Sequence, residues 1–321
     1  MLSGIKIIMD KSFWKNKRVL VTGGHGFLGT HLVKKLKKLK PKRLFVPTSK
    51  ERDFRKPADC KKAVADIDIV IHLAAVVGGI GYNQKIPGKM FYDNVIMGTH
   101  LMEEARKAKV KKFVSIGTVC AYPKFTPVPF KEENLWNGYP EKTNAPYGLA
   151  KKMLLVQGQA YSDQYNFNAI YLLPVNLYGP GDKFDPKISH VIPALIKKFV
   201  EAKKRGEKTV VVWGTGKPTR EFLYVEDAAQ GIILASERYN KAEPVNLGSG
   251  FEISIRELAE AIKEIVRFDG KIAWDKSRPD GQPTRKLDTS RAEKEFGFKA
   301  KTDFKTGLKK TIGWYEKISN I

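Results

Sequence analysis

The chain has 321 residues, which is room for about two domains and a sizeable buried core. With 42% hydrophobic residues it is not a disordered polyelectrolyte, and no run approaches the ~20 apolar residues that a spanning helix needs. Lysine and arginine number 58 against 34 acidic residues, and the resulting net charge of +24 suits a nucleic acid, an anionic membrane or a phosphorylated small molecule. Charge says nothing about fold.

Cys60 and Cys120 are too few for a disulfide framework, so the expected compartment is reducing and cytoplasmic. The segment Met1 to Arg18 mixes a short apolar stretch (Ile5, Ile7, Ile8, Met9) with charges and lacks a signal-peptide pattern. From Arg18 onward, short apolar runs alternate with helical patterns, which predicts α/β architecture around a parallel sheet. Strands are expected at 18–22, 42–46, 67–73, 112–116 and 168–173. A helix at 27–40 carries Leu28, Leu32, Val33, Leu36 and Leu39 on one stripe, and a long helix is expected at 91–109. This pattern makes a doubly wound sheet over residues 1–178. Beyond Gly179-Pro180-Gly181 the strands shorten (209–213, 244–247) and the helices at 192–202, 225–237 and 255–266 are amphipathic. The expected division is a dinucleotide-binding unit, 1–178 with 221–241, and a smaller α/β unit, 179–220 with 242–321.

The first strand runs into Gly23, Gly24, His25, Gly26, Phe27, Leu28 and Gly29, and then the first helix. Glycines at this spacing let the backbone turn tightly and approach a pyrophosphate, while the helix N-terminus supplies N–H donors. At the end of the second strand an acid would hold a ribose 2′-hydroxyl, whereas basic and hydroxyl groups suit a 2′-phosphate. Thr48, Ser49, Lys50 and Arg52 stand there, with His25 nearby, so NADPH is the expected cofactor. A register shift would bring Glu51 to the ribose instead.

Tyr147 and Lys151 lie four residues apart, behind Pro146 at a helix start and a cap at Thr143 or Asn144, so they share a helical face. A lysine one turn away is expected to lower the phenol's pKa and make it a proton donor or acceptor near neutrality. Upstream, Ile116, Gly117 and Thr118 leave a strand at its C-terminal end, where open sheets place ligands. Thr118 can hold a substrate carbonyl there. Ser115 is expected inside the strand. Cys120 has two readings, a small apolar core residue or a group facing the same cleft.

These motifs resemble the extended short-chain dehydrogenase/reductases. A more specific set resembles the GDP-L-fucose synthase family, the 3,5-epimerase/4-reductases of GDP-4-keto-6-deoxy-D-mannose. The set comprises residues 78–81 (GGIG), 117–124 (GTVCAYPK), 144–147 (NAPY), 174–180 (PVNLYGP), 189–195 (SHVIPAL), 213–216 (WGTG) and 220–223 (REFL). The resemblance implies that Tyr147 protonates the C4 oxygen, that Lys151 tunes it and binds the nicotinamide ribose, and that Cys120 and His190 are the epimerising base and acid. Thr118 stands where the family has serine. Pro174, Val175, Asn176, Leu177 and His190 match cofactor-contacting positions. Lys198 (where arginine is common), Trp213, Arg220 and Asp280 match positions that hold the GDP-sugar, and Arg285 or Lys286 matches a further basic one. A homodimer through two long helices is also implied.

Two rivals remain at the level of sequence. One is another NAD(P)-dependent nucleotide-sugar epimerase or reductase. Against a 4-epimerase stands the pair Cys120 and His190, and against a dehydratase stands Val119 where an acid is expected. The other is a dehydrogenase-fold nucleic-acid-binding protein, supported by Lys34, Lys35, Lys37, Lys38, Lys40, Lys42 and Arg43. That run interleaves with a leucine stripe, the pattern of a solvated helix face, and no basic–aromatic binding motif accompanies it.

Overall fold

The computed structural model describes residues 9–185, 188–278, 280 and 282–319, so Ile5, Ile7 and Ile8 lie outside the described residues. The strands are β1 (Arg18–Thr22), β2 (Arg43–Phe45), β3 (Ile69–His72), β4 (Lys112–Ile116), β5 (Ala169–Pro174) and β6 (Asn176–Tyr178). They continue with β7 (Thr209–Trp213), β8 (Thr219–Tyr224), β9 (Pro244–Leu247), β10 (Glu252–Ser254) and β11 (Lys271–Asp275). The helices are α1 (Lys11–Lys15), α2 (Phe27–Leu39), α3 (Pro57–Val64), α4 (Ile80–Lys85), α5 (Pro87–Lys107) and α6 (Ala145–Tyr165). After them come α7 (Val191–Lys204), α8 (Val225–Arg238), α9 (Ile255–Val266), α10 (Ser290–Phe296) and α11 (Phe304–Ile318). None of these helices is long and apolar enough to cross a membrane.

Six parallel strands form the main sheet in the order β2-β1-β3-β4-β5-β9. Its middle strands are buried along their whole length, as expected where helices cover both faces. The chain moves outward from β1 to β2 and then resumes on the other side at β3. This reversal opens a crevice beyond the carboxyl ends of β1 and β3. On α2 the predicted stripe is the packed face, with Leu32, Leu36 and Leu39 buried, while Lys34, Lys37, Lys38 and Lys40 are exposed. Two smaller sheets, β10-β8-β6 and β11-β7, belong to a second layer. Its own core joins Ile192, Phe199, Phe222, Leu258 and Ile312. Helix α9 is well marked in sequence: Ser254 and Glu257 form a capping box, and Leu258, Ile262 and Val266 line its buried side.

The structure corrects three readings. Strand Pro244–Leu247, assigned by sequence to the smaller unit, pairs with β5 and completes the main sheet. Leu287, Ala292, Phe296 and Phe298 likewise pack into the main core, although they follow the smaller unit in sequence. Asn176–Tyr178, assigned to the main sheet, pairs instead with β8. A short apolar run shows that a strand is buried but not which partner covers it.

Glu221, with no exposed surface, joins the two layers. Its carboxylate accepts from the backbone N–H groups of Ser249 (2.6 Å), Gly250 (2.8 Å) and Leu287 (2.6 Å). Burial raises its pKa, and those three donors oppose the rise. Removing the carboxylate strands buried donors, so Glu221→Ala is expected to lower unfolding stability by about 3 kcal/mol in denaturant titrations. An unchanged midpoint would mean that the three N–H groups find other partners.

Candidate active site

The turn after β1 is built from close backbone contacts. Gly23 has φ +67°, and a β-carbon there would lie 2.7 Å from the Ala74 nitrogen at the end of β3. A β-carbon on Gly29 would overlap the Gly23 carbonyl oxygen. Gly26 caps α2 with no side-chain hydrogen bond, so the first N–H groups of the helix receive no side-chain acceptor there. Gly23, Gly26, Phe27, Leu28 and Gly29 line one wall of a cavity of about 350 Å³. Gly24 does not line it and instead lets the turn pack on Val46.

A second cavity continues past Gly23 and Gly26, lined by His25, Thr48, Ser49, Arg52 and Asp53 among others. Glu51 is not turned toward it as a free acid. Its carboxylate accepts from Thr48 N (2.7 Å) and Thr48 Oγ1 (2.8 Å), bonds that lower its pKa. Asp53 is likewise held, by Arg55 Nε and Nη2 at 2.9 Å each. Arg52 donates from Nη1 to the Glu51 carbonyl (2.7 Å), while its buried Nε has no hydrogen-bond partner among the described residues. His25 places Nε2 3.0 Å from the Val46 carbonyl. Lys50 is exposed and does not line the cavity.

Beyond the β4 terminus, Thr118 caps a short 3₁₀ turn, Val119–Ala121, accepting from Cys120 N through Oγ1 at 3.2 Å. Its hydroxyl hydrogen is then left for another acceptor. Helix α6 lies directly on this turn: a β-carbon on Gly148 would overlap the Cys120 carbonyl. The contact brings Tyr147 beside Thr118 and Cys120, and all three line the cavity with Ile116, Gly117, Pro174, Val175, Asn176 and Leu177. Ser115 lies within β4, as expected, with its Oγ buried. Asn144 precedes α6 but does not cap it; its side-chain amide donates to Glu141 at 3.0 Å. Lys151, 2% exposed, stands behind Tyr147 rather than on the cavity surface.

Burial raises the Tyr147 pKa, with Cys120 adding a smaller push in the same direction. This is opposite to the shift expected from a neighbouring lysine. The phenol's own desolvation dominates, and the lysine is itself buried and lowered to about 8. Across the cavity His190 precedes α7, over the Gly78–Gly81 segment, where Gly79 N donates to the Ile188 carbonyl at 3.0 Å. The surrounding protein, then Lys183 and Arg285, lower the His190 pKa.

The remaining expected residues form a trail away from Cys120. Arg285 approaches its sulfur with Nη1 at 3.8 Å and is braced through Nε on Gln282 Oε1 at 2.8 Å. Of the two basic candidates, Arg285 is therefore the one that reaches Cys120. Arg220 is lowered to about 10, first by burial and then by Arg285, with Asp280 opposing. Asp280 accepts from Thr215 N and Oγ1, both at 2.7 Å. Trp213, 62% exposed, lies between Lys198 (5.5 Å to the ring centroid) and Arg278 (5.0 Å). Sequence reasoning missed Arg278, Gln282 and Asp182. Asp182 lines the cavity with a buried Oδ2 that has no partner among the described residues, and burial raises its pKa to about 7. Nothing in local pattern marks these three, because each is defined by a neighbour distant in sequence.

The model of the NAD dependent epimerase/dehydratase family matches residues 19–248. A probable GDP-L-fucose synthase 1 of Oryza sativa subsp. japonica is 42% identical over 96% of this chain and 94% of its own length. GDP-L-fucose synthase 1 of Arabidopsis thaliana is 41% identical over 94% of each chain. Among solved structures, a GDP-L-fucose synthetase from Naegleria fowleri bound to NADP superposes with a TM-score of 0.85 at 30% identity, covering 95% of this chain and 96% of that one. The sheet order, the glycine turn and this near full-length similarity make the chain a member of the NAD dependent epimerase/dehydratase family.

Proposed function

We propose that this protein converts GDP-4-keto-6-deoxy-D-mannose to GDP-L-fucose by epimerisation at C3 and C5 and NADPH-dependent reduction at C4. The observation that carries this reading is the meeting of Tyr147, Cys120 and His190 on one cavity that the glycine turn also lines. A reductase alone needs the tyrosine; the thiol and the imidazole, carried by different elements, add a proton acceptor and a proton donor.

The residues fit NADP(H). The glycine turn occupies space that any β-carbon at Gly29 would fill, and Arg52 directs an unpartnered buried Nε beside the second cavity. With Glu51 and Asp53 already engaged, and both Thr48 donors spent on Glu51, Ser49, Arg52 and His25 are the groups available to a 2′-phosphate. Gly23 through Gly29 would hold the pyrophosphate, and Ile116, Gly117, Pro174 to Leu177, Lys151 and His190 the nicotinamide end. When bound, NADPH supplies the hydride that reduces C4.

The C4 ketone acidifies the protons on its neighbouring carbons. Cys120 takes them from one face of the sugar and His190 returns them on the other. The Thr118 hydroxyl orients the C4 oxygen, and Tyr147 protonates it. Burial keeps the phenol in the protonated form that donation requires. Lys151 then returns the proton to Tyr147. Arg220, Asp280 and Lys198 hold the diphosphate and nucleoside side of the substrate, and Trp213 offers an exposed face to guanine. We assign cofactor binding to the main sheet with β9 and the 287–298 segment, and the GDP-sugar to the second layer. A homodimer would cover Phe91, Tyr92, Met153 and Val156, exposed on α5 and α6. The two free cysteines suit a cytoplasmic setting.

Incubation with GDP-4-keto-6-deoxy-D-mannose and NADPH should consume NADPH and yield a product inverted at C3 and C5; no consumption refutes the reductase. Cys120→Ala is expected to reduce solvent exchange at C3 and C5 at least a hundredfold in a folded protein, and undiminished exchange removes Cys120 from the reaction. Arg52→Ala is expected to raise KM for NADPH about tenfold with KM for NADH unchanged; equal effects on both would place Arg52 away from the 2′-phosphate. Turnover should fall as pH rises through about 8, where Lys151 loses the proton it returns to Tyr147. A rate that is flat to pH 10 would exclude that role for Lys151.

A further inference from the structure

We infer that Arg285 is a positioning residue for the thiol: its guanidinium is placed to stabilise the Cys120 thiolate as it forms and thereby sets it as the base of the cavity. Its place in the fold is well defined. Nε donates to Gln282 Oε1 at 2.8 Å, and Gln282, 9% exposed, donates from Nε2 to the Lys124 carbonyl at 2.9 Å. That brace points Nη1 at Cys120 Sγ, 3.8 Å away. A planar cation with N–H groups aimed at sulfur stabilises a thiolate more than a thiol, by charge and by hydrogen bonding. The anion gains a partner that the neutral form does not need.

Lys183 lines the same cavity and lowers His190, whereas Arg285 is the group hydrogen-bonded to the Cys120 sulfur; the other neighbours supply no such contact. Tyr147, from α6, is an uncharged phenol held protonated by burial. Lys151 lies a helical turn further back, buried and lowered to about 8. Thr118 contributes a hydroxyl oxygen that already accepts the Cys120 N–H. Glu141, ahead of α6, accepts from Thr143 and Asn144 and feels Arg285, so it accompanies the guanidinium rather than the sulfur. His190, on the opposite wall, is lowered partly by Arg285. Arg220 stands behind Arg285 and is lowered by it. For His190, burial and Lys183 come first and Arg285 adds to them, so the guanidinium's specific contact is with the sulfur.

The functional consequence rests on Cys120 being the epimerising base, but the electrostatic claim does not, so the two are tested apart. Iodoacetamide alkylation of Cys120 in the purified full chain, without nucleotide or sugar, is followed across pH by peptide mass spectrometry. Buried Cys60 serves as internal reference. For Arg285→Gln the midpoint should rise by about one pH unit, and the rate at pH 7 should fall about threefold, since the loss of thiolate is partly offset by its higher nucleophilicity. Arg285→Lys, which keeps the charge without the fork, should fall between the two and guards against a folding artefact. Coincident profiles for wild type and Arg285→Gln would overturn the inference, even if KM for the GDP-sugar rises, because that pattern describes a substrate contact only. A shifted profile with undiminished C3 and C5 exchange would leave the Arg285–Cys120 pairing intact and refute Cys120 as the base.

Discussion

Helix α6 touches the turn after β4 backbone to backbone, at Gly148 against the Cys120 carbonyl, with no room for a β-carbon between them. Much of the site depends on that approach. The same contact brings Tyr147 beside Thr118 and Cys120, with Lys151 one helical turn on and buried. Side chains on two different elements can be held to catalytic tolerance only if the elements do not slide, and a contact between main chains is the stiffest available. The glycine turn at Gly23 and Gly29 applies the same device one crossover earlier, where helix α2 meets β1 and β3.

The electrostatics of the cavity come from few groups. Most of the +24 surplus has no part in it: Lys34, Lys37, Lys38 and Lys40 are exposed on the outer face of α2. Lys183 lines the cavity, and the cations around it are specific and partly desolvated. Arg220 and Lys151 are lowered by burial, and Arg285 is braced by Gln282 and aimed at sulfur. A charge in such a site interacts more strongly than one on the surface, because less water screens it. Of the acids near the site, Glu51 is held by Thr48, Asp53 is paired with Arg55, and burial raises Asp182 to about 7. The crevice is thereby kept favourable to anions although carboxyl groups line or border it.

Much of the architecture was legible because local pattern and long-range packing agree. The leucine stripe of α2, the apolar runs of β1, β3 and β4 and the capping box of α9 each state their own burial. Strand β9 was legible as a strand but not as a member of the main sheet, since its partner β5 is some seventy residues earlier. Lys50 illustrates the same limit within the site. It sits among residues that line the cofactor cavity, yet the turn closed by Glu51 on Thr48 leaves it in solvent. The expected lowering of the Tyr147 pKa also failed, because helical spacing places two groups on one face without saying how deeply that face is buried.

By itself, the sequence determined the main alternation of strands and helices, the glycine turn and the candidate reactive groups. Each of these follows from residue type at short spacing: glycine where main chains must meet, apolar residues at helical or strand period, a phenol and an amine one turn apart. Only the tertiary structure decided which groups face one another. Arg285 reaches Cys120 across 165 residues, Glu221 gathers donors from two later loops, and His190 meets the cavity from the far wall. Those contacts depend on how separate elements stack, and desolvation, which sets the charge state of Tyr147, Lys151 and Asp182, exists only once they have stacked.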